Sequence, residues 1–174
     1  YAAAADKLKE SGRLYPCFES EEELNAKREQ RQRRSQAAIY DRGMLKLTPE
    51  QRATAEAGGK RPYWRFLLSG VPAEWGDMVL GRQEVKLSAV SDPVLIRADG
   101  TPAQAFTSAV DDIELGITHL IRSEEDVTAS GIQLDIMAAL GATGRTAPIR
   151  FGHLPALVDQ QGAKLSTRTG GPLS

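Results

Sequence analysis

The amino-acid sequence predicts an α/β fold in which a parallel α/β segment is joined to a differently built α+β stretch, and three observations carry that reading. From Phe106 onward an amphipathic helix, an apolar strand, a second helix and a second apolar strand follow one another with short connections, the order expected of parallel strands joined through a crossover helix. Between Tyr63 and Arg97 the pattern is one of short β-branched and aromatic runs separated by turn residues, as in antiparallel strands. Charge is segregated as well: "KREQRQRR", Lys27 to Arg34, carries five positive charges against one glutamate, whereas residues 111–126 carry Asp111, Asp112, Glu114, Glu124, Glu125 and Asp126 against Arg122 alone.

Each element has a local reason. "YAAAADKLKESG" is rich in strong helix formers and closes at Gly12, a residue suited to the left-handed cap position; beginning at Tyr without a methionine, it reads as the last helix of a chain already under way. Ser20 and Glu23 make a capping box for a helix over residues 21–34, acidic first and basic last. Thr48, Pro49 and Gln51 start a shorter helix to Ala57, which "AGGKRP" ends. Strands are expected at "YWRFLL", "MVLG", "EVKLSAV" and "PVLIR". Phe106, Ala109, Val110, Ile113 and Ile117 form one helical stripe, and "THLIR" reads as a buried strand. Thr128 to Leu140 reads as a helix with Ile132, Ile136, Ala139 and Leu140 inward, stopped by Gly141; "PIRFGHLPALV" follows as a second buried strand.

With 41% hydrophobic and 26% charged residues among 174, the chain has the composition of a globular protein, and no run approaches the roughly 18 apolar residues of a membrane span, so no membrane partner is expected. A net charge of −1 argues against a surface coated throughout for nucleic-acid binding. Cys17 is the only cysteine, which excludes an intrachain disulfide and a multi-cysteine zinc site and makes a cytoplasmic setting the expectation. His119 and His153 each stand isolated among apolar neighbours, so neither a metal site nor protein-bound zinc is expected.

The stretches "LYPCFESEEELNAKREQ", "SDPVLIRADGTPAQAFTSAVDDIELGITHLIRSEED", "FGHLPALVD" and "KLSTR" together resemble the catalytic region of bacterial glutamyl-tRNA synthetases, class I enzymes that join glutamate to its tRNA. "VDDIELGITHLIR" is the most specific of them, and the resemblance covers nearly the whole chain in the family's order. It implies residues 1–14 as the end of a first nucleotide-binding half, 15–95 as an inserted domain holding the tRNA acceptor end, and 96–174 as the second half of a class I Rossmann-like nucleotide-binding domain. ATP with Mg, glutamate and tRNA are the implied substrates. The family's first ATP motif, a glycine-containing loop ending in a histidine pair, is expected ahead of Tyr1, and its anticodon-binding domains after Ser174.

Glutamate activation sets a carboxylate against the α-phosphate of ATP, a charged transition state that cations and backbone dipoles stabilise without a covalent nucleophile. "KLSTR" corresponds to the family's lysine-leucine-serine-lysine-arginine loop, which implies catalytic roles for Lys164, Ser166, Thr167 and Arg168. Thr167 stands at the second lysine, a change that removes a donor worth roughly 3 kcal/mol in the transition state. The resemblance further implies a glutamate pocket of Arg122, Gln104, Ser108 and Asp126, and ATP contacts from Glu125, Ala156, Leu157 and Lys164. Gln104 replaces a usual tyrosine, Asp126 a usual histidine or tryptophan, and Ala129 a common asparagine. Arg122 is retained; it is expected to grip a substrate carboxylate through a bidentate fork, or else to bridge Glu124 or Asp112. Asp111 and Asp112 point to different faces of a helix and read as structural, not as a proton-sharing dyad.

Arg28, Arg31 and Arg34 share a helix face, and Lys60, Arg61 and Arg65 lie beside Tyr63 and Trp64. By pattern alone these are solvated surfaces, with Trp64 equally suited to a core; the resemblance makes them candidates for tRNA phosphates and an unpaired base. The substitutions at Gln104, Asp126, Ala129 and Thr167 leave a second function open, a non-catalytic relative that keeps the fold as a binding or scaffolding module.

Overall fold

In the computed structural model, which describes residues 1–142, 149–159, 161 and 164–165, two sheets share one apolar core. Helix α1 (Ala2–Glu10) turns out of its last residues through Gly12 at φ 69°. The capping boxes form as their sequences require: Ser20 Oγ accepts from the Glu23 N–H and the Glu23 carboxylate from the Ser20 N–H at the start of α2 (Glu21–Arg33). Thr48 and Gln51 do the same for α3 (Pro49–Ala57).

Strands β1 (Leu14–Cys17), β2 (Tyr63–Phe66) and β5 (Val94–Ile96) form an antiparallel sheet with β2 in the middle. The second sheet runs β4-β3-β7-β6 and is mixed. Its antiparallel hairpin is β3 (Ala73–Asp77) with β4 (Gly81–Val85), and its parallel pair is β6 (His119–Ser123) with β7 (Arg150–Leu154). Asp77 opposite Phe151 joins the two parts, again in parallel. Helix α4 (Gln104–Glu114) precedes β6, and α5 (Val127–Ala139) lies between β6 and β7 in sequence, the crossover that the sequence predicts.

Several local expectations change. In "MVLG", Met78, Val79 and Leu80 form the turn of the β3–β4 hairpin and only Gly81 is in a strand, because Asp77 Oδ1 accepts from the N–H groups of Val79 and Leu80, each at 3.0 Å. "EVKLSAV" is extended only to Val85 and then makes a 3-10 turn at Leu87–Ala89. Strand β6 is less buried than its composition suggests: it is the edge of the described sheet, and Ile121 is 58% exposed. Ile117 lies beyond the end of α4. No helix among the described residues is long and apolar enough to cross a membrane.

The core draws Leu8 from α1, Leu14 and Phe66 from the first sheet, Val85 from β4, Phe106 and Ala109 from α4, and Ile136 from α5. At Gly131 α5 passes close to β4: an added Cβ would lie 2.7 Å from Val85 Cβ and 2.9 Å from Val85 Cγ2. Gly131→Ala is therefore expected to destabilise the fold by about 1–3 kcal/mol through overpacking. Urea unfolding measures this, and an unchanged midpoint would show that α5 shifts freely. Cys17 is buried beside Tyr40, and burial pushes its thiol up to about 11, which keeps it protonated and unreactive at neutral pH.

Candidate functional site

The start of α4, the end of β6 and the start of α5 converge on a cavity of about 310 Å³. Gln104, Ser108, Arg122 and Asp126 all line it, together with Ala129 and Gln133. Asp126 reaches it from a single 3-10 turn, Glu124–Asp126, whose entry is fixed by Ser123 Oγ accepting from the Glu125 N–H. Arg122 is held from the α5 side: Nη1 donates to Ser130 Oγ at 3.2 Å and Nη2 to Gln133 Oε1 at 2.5 Å. Both acceptors are neutral, so neither bond compensates the guanidinium charge. The Asp112 carboxylate is reached through Gln133, whose Nε2 donates to Asp112 Oδ2 at 2.5 Å. Asp111 instead accepts from the Tyr1 hydroxyl at 2.7 Å.

Behind Arg122 lies a group that residue pattern did not reveal. Ser130 Oγ is 2.9 Å from His153 Nε2, and His153 Nδ1 is 2.5 Å from Asp77 Oδ2, with the His153 side chain wholly buried. Asp77 also accepts from the backbone N–H of His153 at 3.0 Å and from Trp75 Nε1 at 3.3 Å. Burial pushes the Asp77 carboxyl up, but the His153 ring and the N–H groups of Leu80, His153 and Val79 more than reverse this and hold it well below the usual carboxylate range. His153, isolated in sequence, is thus doubly bonded in space. Ser130 and Gln133 carried a usable signal, since residues three apart share a helix face. The pairing of His153 with Asp77, 76 positions away, carried none.

Of the four residues expected to touch ATP, Lys164 and Glu125 pair directly, while Ala156 and Leu157 bond to neighbours outside that set. Lys164 Nζ lies 2.7 Å from both oxygens of Glu125. The Ala156 N–H is 3.5 Å from Glu124 Oε1, and the Leu165 N–H donates to the Leu157 carbonyl at 2.8 Å, which returns Lys164 alongside Val158. Lys164 and Glu125 are both more than half exposed, so their ion pair adds little stability. Ser166, Thr167 and Arg168 lie outside the described residues.

The basic candidates separate. Arg28, Arg31 and Arg65 line one small cavity of about 60 Å³ with Lys27 and Tyr40, while Lys60 and Arg61 stand exposed ahead of β2. Arg65 is only 8% exposed: Nη1 donates to the Asp92 carbonyl at 2.6 Å, and its guanidinium lies over the Tyr40 ring at 4.3 Å. Strand alternation turns it inward, so it packs inside the fold instead of extending the surface of Lys60 and Arg61. Arg34 is the C-cap of α2. Trp64 packs against the core with Lys9 over its ring at 4.9 Å.

Over 168 residues the chain is 62% identical to glutamate–tRNA ligase 2 of Granulibacter bethesdensis, covering 97% of this chain and 37% of that protein. It is 61% identical over 170 residues to glutamate–tRNA ligase 2 of Acidiphilium cryptum, covering 98% and 38%. The chain thus spans less than two fifths of the length of these relatives. The crystal structure of the glutamate-tRNA synthetase from Elizabethkingia anophelis superposes with a TM-score of 0.82 at 25% identity, covering 97% of this chain and 35% of that one. The family model for the catalytic domain of class I tRNA synthetases (E and Q) matches residues 1–173. From Tyr1 almost to its last residue, the chain belongs to the class I tRNA synthetases of the E and Q group.

Proposed function

We propose that this chain is the part of a glutamate–tRNA ligase that grips the amino acid, with ATP, arriving as its Mg complex, meeting Lys164 and Glu125 beside it and tRNA meeting the basic residues of 15–95. The observation that carries the reading is Arg122, a guanidinium bonded to two neutral side chains and lining a cavity with Gln104, Ser108 and Asp126. A cation and a carboxylate in one cavity suit a zwitterionic amino acid, with Arg122 offering its fork to a carboxylate. The names of the relatives support glutamate as that amino acid.

The family's first ATP motif is not among these 174 residues, so the isolated chain is expected to show no glutamate-dependent ATP–pyrophosphate exchange; turnover near that of a complete synthetase would overturn this. In the full-length product of the gene, Arg122→Ala is expected to lower kcat/KM for glutamate about a hundredfold, with KM for ATP unchanged. An equal kcat/KM would remove Arg122 from the pocket. Absence of exchange in the unmutated full-length product would favour the scaffolding alternative.

A further inference from the structure

We propose that Asp77, His153 and Ser130 are positioning residues for Arg122, a buried relay that fixes the direction in which its guanidinium meets a carboxylate in the cavity; this rests on the reading of Arg122 as the carboxylate grip. The polarity of the relay follows from donor and acceptor inventory. An arginine can only donate, so Ser130 Oγ accepts from Arg122 Nη1 and its own O–H is left to donate. The partner at hand is His153 Nε2, 2.9 Å away. Nε2 accepts only if the ring carries its proton on Nδ1, and Nδ1 faces Asp77 Oδ2. Asp77 is also met by the N–H groups of Val79, Leu80 and His153, which suits an ionised carboxylate that only accepts. Every proton then has one consistent place from Arg122 to Asp77.

Gln133 works in the same sense on the other guanidinium nitrogen: its oxygen accepts from Nη2 and its amide donates to Asp112. Two of the five N–H groups of Arg122 are thus tied to α5, and the rest remain for a ligand in the cavity that Arg122 lines. Although aspartate, histidine and serine stand in the order of a nucleophilic set, Ser130 and His153 are both 0% exposed and the hydroxyl is engaged by Arg122. The group therefore acts through Arg122 and not on substrate. A fork held on one side presents its free donors in a single orientation, which a flexible arginine would have to adopt at an entropic cost on each binding event.

The test titrates L-glutamate into the 174-residue chain while the nitrogen NMR signals of the His153 imidazole are followed. Expected are an Nδ1–H tautomer, an Nε2 signal that moves when glutamate binds, and an affinity about three- to tenfold lower in Ser130→Ala but recovered in Ser130→Thr, which restores the hydroxyl. Ser130→Ala binding as tightly as the parent while Arg122→Ala binds worse would overturn the relay and leave the reading of Arg122 intact. If Arg122→Ala changes nothing, or the parent binds no glutamate, the reading of Arg122 fails and the imidazole alone decides the relay. Arg122→Ala must then move the Nε2 signal in the parent and not in Ser130→Ala; an Nε2–H tautomer, or no such difference, overturns it.

Discussion

Asp92→Ala is expected to lower the unfolding free energy by about 3 kcal/mol, a large part of the margin of a domain this size. Asp92 is 1% exposed and sits at the junction of the first sheet with the segments around it. Its Oδ2 accepts from the Tyr15 hydroxyl at 2.7 Å and from Arg42 Nε at 2.9 Å; its Oδ1 accepts from Arg42 Nη2 at 2.9 Å and from the Leu68 N–H at 3.0 Å. Truncation strands a buried hydroxyl and a buried amide without acceptors, each costing about 1–3 kcal/mol. The Arg42 side chain is 38% exposed and recovers part of its solvation, so the buried partners dominate the loss. Urea unfolding followed by tryptophan fluorescence reads the effect, since Trp64 lies on β2 of the same sheet. A loss under about 1 kcal/mol would mean that water takes over the carboxylate's bonds.

Asp77→Asn is expected to cost about 2 kcal/mol near neutral pH, because an amide offers one acceptor oxygen where the carboxylate meets donors with two, and turns N–H groups toward N–H groups. It should also change the acid limb of stability. The native carboxyl is held below its ordinary value of 3.8, so as pH falls the unfolded chain takes up the proton first. The stability that Asp77 contributes is therefore full above about 3.8 and drains away as pH falls below it toward the native value. The parent should lose stability steeply below pH about 4, and Asp77→Asn should lose less. Parallel curves for the two proteins would show that Asp77 does not govern this limb.

Neither residue announced itself in the sequence, whereas much around them did. The capping boxes at Ser20 and Thr48, the glycine stops at Gly12 and Gly141, and the parallel order of β6 and β7 across α5 are set by neighbours within a few residues or by the sequence of element types, and all of these were legible. Family resemblance pointed to Gln104, Ser108, Arg122 and Asp126, and those residues do line one cavity. "MVLG" was misleading because an apolar, β-branched composition says nothing of the Asp77 carboxylate that bends those residues into a turn.

What the sequence by itself determined is the set of elements, their order and the chemical types available to the site, since these depend on local capping, periodicity and turn chemistry. Tertiary structure alone decided which polar groups became partners. Arg65 was turned inward onto Tyr40 and Asp92, and His153 was placed between Asp77, 76 positions away on β3, and Ser130 on α5, by the packing of strands against loops and helices distant in sequence. Leaving a buried polar group unpaired costs about 1–3 kcal/mol, which favours folds that supply a partner, and the identity of that partner is a property of the packed fold and not of the local sequence.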